Sequence, residues 1–269
     1  MIEVNTIQNV TQIKMSREMG GKALYWVAAY YIDGMLVDTG CDYTSQELCN
    51  LLQQYEVNFV VNTHYHEDHI GANHLLNTIY NIDIFAHPET VLLMKRTHKL
   101  YPYQEMVWGY PKIYELGLPL GHKITTPNYT FDIIHTPGHC NGHISLLEAD
   151  KGWCFTGDLF VSENPKVIRP EEDLTQIVNS METILTSTNS DLVLFTSVGK
   201  VVENGRDALQ DCVSNLKRLS RVVKELNQKG HSISTIRDIV LGGESALAQP
   251  TNQQFSSENL IKAALVAKI

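Results

Sequence analysis

From Ala23 to Val37 the chain carries Tyr, Val, Ile and Leu at high density and is broken only by Asp33-Gly34. That pair favours a tight turn, so the pattern predicts two antiparallel strands. Thr44 and Glu47 then stand at the spacing of a capping box ahead of Leu48, Leu51 and Leu52, which predicts a helix. Val57 to Val61 follows as a buried strand, setting a strand, helix, strand order before residue 64.

A second set of strands is predicted at Tyr129 to His135, Ile144 to Glu148, Trp153 to Thr156 and Leu192 to Thr196. A helix over Glu171 to Leu185 carries Leu174, Ile177, Met181 and Leu185 on one face. The result is a mixed α/β chain in two similar halves. From Asp207 onward Leu209, Val213, Leu216, Leu219, Val223 and Leu226 recur at three and four residues until Gly230, which predicts a long amphipathic helix. Shorter helices are expected at Thr235 to Leu241 and Ser257 to Ala267, around a Gly/Gln/Asn/Pro-rich loop at Gly242 to Gln254. The expected division is a domain over 1–205 and a C-terminal helical extension, 206–269, packed on it.

Residues 95–121 fit neither period and hold Tyr101, Tyr103, Trp108, Tyr110 and Tyr114 among three prolines. So many aromatics argue against disorder. A lid or wall over a site and a packing or dimer contact are the two readings.

Composition narrows the function. At 269 residues the chain can bury a large core, and 21 basic against 30 acidic side chains, a net charge of -9, leave no overall basic field for a nucleic acid. No apolar run reaches the roughly 20 residues that a bilayer demands. Five cysteines, an odd number with no C-x-x-C pair, fit a reducing compartment, so a cytoplasmic protein is expected, and the acidic chain with its aromatic segment favours a small-molecule substrate over RNA. A homo-oligomer is left open.

The segment Asn62 to Gly71 puts His64, His66, Asp68 and His69 directly after a predicted strand. Alternate residues of an extended chain face the same side, so His64 and His66 can meet one ion, while Asp68 and His69 fall where the chain curls and can face a second. Imidazole with carboxylate suits zinc, iron or manganese.

The run H-Y-H-E-D-H resembles the H-x-H-x-D-H signature of the metallo-β-lactamase superfamily. Other motifs of that family follow in order: Asp38-Thr39-Gly40 after the first hairpin, Thr136-Pro137-Gly138-His139, and Thr156-Gly157-Asp158 at a strand end. The resemblance covers about residues 20–205 and implies a four-layer αββα sandwich. It implies one metal on His64, His66 and His139 and a second on Asp68 and His69, with Asp158 between them. Asp38 is expected behind a ligand ring, and His143 beside the site. The implied chemistry is that of a zinc-dependent hydrolase with one or two ions, using a metal-bound hydroxide on a small ester, lactone, thioester or lactam, with Asp68 handling the proton. The resemblance also allows an iron sulfur dioxygenase, on His64, His139 and Asp158, or a non-catalytic relative.

One position departs from the family pattern. Where a turn after the last strand supplies the final histidine, this chain reads Phe195-Thr196-Ser197-Val198-Gly199, and no histidine occurs between His143 and His231. A weakened second metal is the expected consequence, ahead of a single-metal enzyme or an inactive relative. His74, His87, His98 and His122 are read as structural, and Cys140, beside His139, as a buried thiol or an alternative soft donor.

Overall fold

The computed structural model describes residues 1–269. The chain opens with β1 (Ile2–Ile7) and β2 (Val10–Met15), crosses a small ribbon of β3 (Glu18–Met19) and β4 (Lys22–Ala23), and enters β5 (Val27–Ile32) and β6 (Met35–Val37). Next come α1 (Ser45–Leu52), β7 (Phe59–Asn62), α2 (Asn73–Tyr80), β8 (Asp83–Ala86), α3 (Pro88–Met94), α4 (Pro102–Val107) and β9 (Leu118–Pro119). The second half runs β10 (Lys123–Thr125), β11 (Thr130–His135), β12 (Ile144–Glu148), β13 (Trp153–Gly157), α5 (Leu174–Ser187), β14 (Val193–Thr196) and β15 (Val201–Val202). Three helices end it: α6 (Gly205–Gln228), α7 (Ile233–Leu241) and α8 (Ser257–Val266).

One sheet is ordered β1-β2-β5-β6-β7-β8-β9 and the other β10-β11-β12-β13-β14-β15. Three buried clusters account for the layering. Between the sheets pack Tyr30, Phe131, Trp153, Phe155 and Phe195; Leu48, Leu76, Val91 and their neighbours join α1 to α3 to the outer face of the first sheet. On the far side Leu147, Cys154 and Leu194 of the second sheet meet Val178 of α5, Leu209 and Leu216 of α6, Ile236 of α7 and Leu260 of α8. This is the αββα sandwich, with the C-terminal helices in its last layer. Phe155 stacks on Phe195 at 5.0 Å, and truncating such a ring to Ala costs about 3–5 kcal/mol.

The turn between β5 and β6 has Asp33 and Gly34 both at positive φ, 50° and 90°, the geometry that matches strand twist in a two-residue hairpin. The hairpin of β1 and β2 carries no such signal. It turns on Gln8 and Asn9, and β1 is largely exposed at the sheet edge, so no alternation marks it.

The expected capping box is absent, although α1 starts where it was predicted. Thr44 donates its hydroxyl to the Cys41 carbonyl at 3.1 Å instead of receiving the helix, and Glu47 pairs with the N-terminal ammonium at 3.0 Å. A short 3-10 turn over Asp42–Thr44 takes the Thr44 amide, which donates to Cys41 O at 3.1 Å. The helix predicted from Glu171 begins at Leu174, capped by the Asp173 carboxylate, which accepts from the Gln176 amide at 3.1 Å. No helix is long and apolar enough to cross a membrane.

Candidate metal centre

Five strand ends converge on one edge of the sandwich. Asp38 follows β6, Thr63 to His69 follow β7, Thr136 to His139 follow β11, Asp158 follows β13, and Ser197 and Val198 follow β14. Backbone bonds tie the two sheets together there: the Ile144 amide donates to Thr63 O at 2.9 Å and the Ala28 amide to Ser197 O at 2.7 Å. Gly157 has φ 50°, and a Cβ on it would stand 2.6 Å from His143 Nε2, so only glycine lets β13 deliver Asp158 this close.

The hydrogen bonds behind the rings fix their protons. Thr63 Oγ1 lies 2.8 Å from Asp38 Oδ2, a carboxylate oxygen that accepts the hydroxyl proton. Its oxygen then accepts from His64 Nδ1 at 3.0 Å, which leaves His64 Nε2 as a bare lone pair. His139 Nδ1 meets Glu172 Oε1, so its Nε2 is bare in the neutral ring. Both nitrogens point at His66 Nδ1, from 3.1 Å and 2.9 Å. One imidazole proton cannot serve two acceptors, and three nitrogens this close form an electron-rich pocket that a cation satisfies and hydrogen bonding does not.

A second group stands beside the first. Asp38 Oδ2 takes the proton of His69 Nδ1 at 2.8 Å, so His69 Nε2 faces inward. That nitrogen is buried without a hydrogen bond, 3.3 Å from Asp158 Oδ1 and 3.7 Å from Asp68 Oδ2; Asp68 Oδ1 is also buried and unpartnered. Asp158 lies between the groups, its Oδ2 being 3.3 Å from His139 Nε2. Orphaned donor atoms of this kind are the mark of a place built for an ion.

The electrostatics agree. Burial, then the neighbouring imidazoles, hold His64 and His66 well below the usual histidine range, so both are neutral donors. For His69, burial opposes the proton but the Asp38, Asp68 and Asp158 carboxylates outweigh it and lift the ring well above its usual range. Asp158 and Glu172 overcome burial in the same way at His139. A field that draws protons onto two rings draws a divalent cation more strongly.

All six side chains singled out in the sequence, His64, His66, Asp68, His69, His139 and Asp158, come together here. Asp38 grips His69 and the Thr63 amide, the latter at 2.7 Å, from a backbone with φ 59°, a strained conformation for Asp at the edge of a site. His143 contributes no atom to either group of donors. Its Nδ1 bonds Thr136 Oγ1 at 2.9 Å, and its Nε2 accepts the Asp158 amide at 3.1 Å; burial lowers its pKa to about 3, which keeps that acceptor free. Cys140 offers its sulfur within 4.8 Å of the nitrogens of His64, His66 and His139, but burial and Asp158 hold the thiol protonated. A separate trio, His87, Glu89 and His135, lies nearer the surface with its two rings stacked at 6°, so their lone pairs lie in parallel planes and do not converge.

Three participants left no usable signal in the sequence. Glu172 sits in an acidic run before a helix, where a capping role is the ordinary reading. Ser197 donates its hydroxyl to Asp158 Oδ1 from the turn where a histidine was sought, and Val198 faces the adjoining cavity. Arg169 stands between Lys166 and the acidic run Glu171 to Asp173, where a solvated charge is the ordinary reading.

That cavity, about 420 Å³, opens on Asp68, His139 and Asp158. Tyr103 and Trp108 of the aromatic segment form part of its wall, and Leu159, Ile168, Phe255 and Leu260 continue it. The segment thus combines both of its expected uses, since Tyr103, Trp108 and Tyr114 are also buried against the first sheet's helices.

The sequence model of the metallo-beta-lactamase superfamily matches residues 27–196. Among curated proteins, the hydroxyacylglutathione hydrolase GloC of Haemophilus influenzae is 27% identical over 191 residues, 68% of this chain and 87% of the relative. The lactamase-like protein aptB of Emericella nidulans is 25% identical over 261 residues, 88% of this chain and 76% of its own. Among solved structures, a beta-lactamase domain protein from Burkholderia ambifaria superposes with a TM-score of 0.69 at 17% identity, covering 98% of this chain and 84% of that one. A metallo-beta-lactamase family protein from Thermus thermophilus gives 0.64 at 15% identity, covering 96% and 92%. With the family model running from β5 through β14, over more than half of the chain, the chain belongs to the metallo-β-lactamase superfamily.

Proposed function

We propose that this protein is a zinc-dependent hydrolase of a small ester, lactone, thioester or lactam. The observation that carries the reading is the convergence of three imidazole nitrogens beside the unpartnered His69 Nε2 and Asp68 Oδ1. His64, His66 and His139 would hold one cation, and Asp68, His69 and Asp158 a second. A divalent cation bound there supplies Lewis acidity toward a carbonyl oxygen and lowers the pKa of water to about 7. Asp68 is the residue to orient the attacking water and hold its proton, since Oδ1 has no other partner and the side chain faces the cavity. Asp38 and Glu172 keep the ring protons of His69 and His139 on Nδ1, away from the site. The apolar wall excludes bulk water and takes the acyl part of a substrate.

The name of the Haemophilus relative supports hydrolysis and puts hydroxyacylglutathione among the substrates to try. A mononuclear iron site on His64, His139 and Asp158 would leave out His66, whose Nδ1 lies within 3.1 Å of both other rings, so hydrolysis is the preferred reading. Free, mostly buried thiols fit a cytoplasmic setting.

The test is metal content per chain after purification without added metal, together with turnover of ester, lactone, thioester and nitrocefin substrates before and after chelation. Zinc-restored hydrolysis of at least one class is expected. Oxygen uptake with bound iron, or no turnover by metal-loaded protein, would overturn the assignment.

A further inference from the structure

Arg169 is 5% exposed, yet its guanidinium makes no hydrogen bond and no ion pair. Its amide donates to Glu172 Oε2 at 2.9 Å, and its guanidinium carbon lies 5.3 Å from the Phe255 ring centroid. Arg206 shows what a structural arginine does in this fold: it donates to the carbonyls of Leu185, Thr188 and Ser190. A guanidinium has five donors, and none of the Arg169 nitrogens is sealed in the protein, so without a protein partner they stand open to whatever enters the cavity. Glu67, Asp68 and Glu172 balance its charge from a distance without binding it.

Its position is equally specific. Arg169 lines the apolar cavity together with Asp68, His139 and Asp158, and it also lines a second cleft of about 320 Å³. Arg96, Lys99 and Lys112 stand around that cleft without ion pairs, so with Arg169 the cations there outnumber the acids that line it, Glu67 and Glu171. In a chain of net charge -9 this is a local excess of unpaired positive charge beside the candidate centre.

We propose that Arg169 binds a carboxylate of the substrate, whose apolar part fills the cavity beside the metal centre. The planar fork of the guanidinium matches a carboxylate with two parallel bonds, and the apolar surroundings strengthen them. The substrates are then apolar acyl compounds with an anionic group, and neutral analogues of the same length are poor ones. This identification of the substrate class rests on the hydrolytic reading; the anion site does not.

The experiment is a calorimetric titration of the purified, metal-counted protein with octanoate, octane-1-sulfonate and octanamide. The sulfonate coordinates metals poorly, so it separates pairing with Arg169 from binding to the cation. Both anions should bind about 10–100-fold more tightly than the amide, the range expected for charge-assisted bonds. Arg169→Gln should bring the sulfonate down to the amide, and Arg169→Lys should keep part of the preference, both with the metal count unchanged. Octanamide binding as tightly as the sulfonate to the parent protein overturns the proposal without any variant; so does an Arg169→Gln protein that keeps its sulfonate affinity. An anion preference in a protein that hydrolyses nothing would sink the hydrolase assignment and leave the anion site standing, while hydrolysis without that preference would do the reverse.

Discussion

The donor cage and the cavity wall share Asp68, His139 and Asp158 but are assembled in opposite ways. Every donor of the cage lies within a few residues of a strand end, and four of them fall within six consecutive positions, 64–69. The wall draws on Tyr25, Tyr103, Trp108, Ile168 and Phe255, five places spread over most of the chain. Strand ends are held by sheet hydrogen bonds, so the cage is stiff and its geometry is shared by all its members. The wall is a sum of separate apolar contacts. The cage should therefore fail all at once, and the wall by degrees.

The largest effect is expected from His66→Ala, which removes the nitrogen between the other two rings. Metal binding at that group should be lost and turnover should fall to background, measured by metal count and by rate on whichever substrate the parent protein cleaves. Unchanged turnover would place the chemistry elsewhere. Next, Glu172→Ala frees His139 Nδ1, and metal affinity should drop about 10–100-fold with the fold intact, as read by competition against a chelator. An unaltered affinity would mean that the acid only caps the segment before α5.

On the wall, Phe255→Ala should raise KM for an apolar substrate by about 10-fold, with the metal content of the parent. Loss of metal in that variant would erase the distinction between wall and cage. The smallest change is expected at the turn after β14. Val198 offers no lone pair, so the ion of the Asp68, His69 and Asp158 group should leave first on dialysis against a chelator, and Val198→His should slow its loss. Two ions held with equal affinity by the parent protein would point to an unrecognised donor.

The same contrast governs what could be read from the chain. The H-Y-H-E-D-H run, Asp38-Thr39-Gly40, Thr136-Pro137-Gly138-His139 and Asp158 are legible because a strand end converts a short stretch of sequence into a fixed direction in space. The hairpin at Asp33-Gly34 is legible because its turn needs positive φ at both residues. The first hairpin, at Gln8 and Asn9, is not, since β1 is exposed on most positions and no core face demands an alternating pattern. Thr44 and Glu47 show how a local signal can be overridden: their spacing suits a capping box, but a 3-10 turn and the N-terminal ammonium take their polar atoms.

By itself the sequence determined the mixed order of strands and helices and the His/Asp cluster at 64–69, because each depends on residues close together along the chain or on a period that repeats, while the layered sandwich was implied by the resemblance of motifs in order. Tertiary structure alone decided that Glu172 meets His139, that Ser197 meets Asp158, that the aromatic segment and the C-terminal helices enclose one cavity, and that Arg169 lies beside it with its donors unspent. Those contacts join segments separated by tens of residues, and the free energy that brings them together is apolar burial, which is nondirectional and leaves no fixed spacing in the chain.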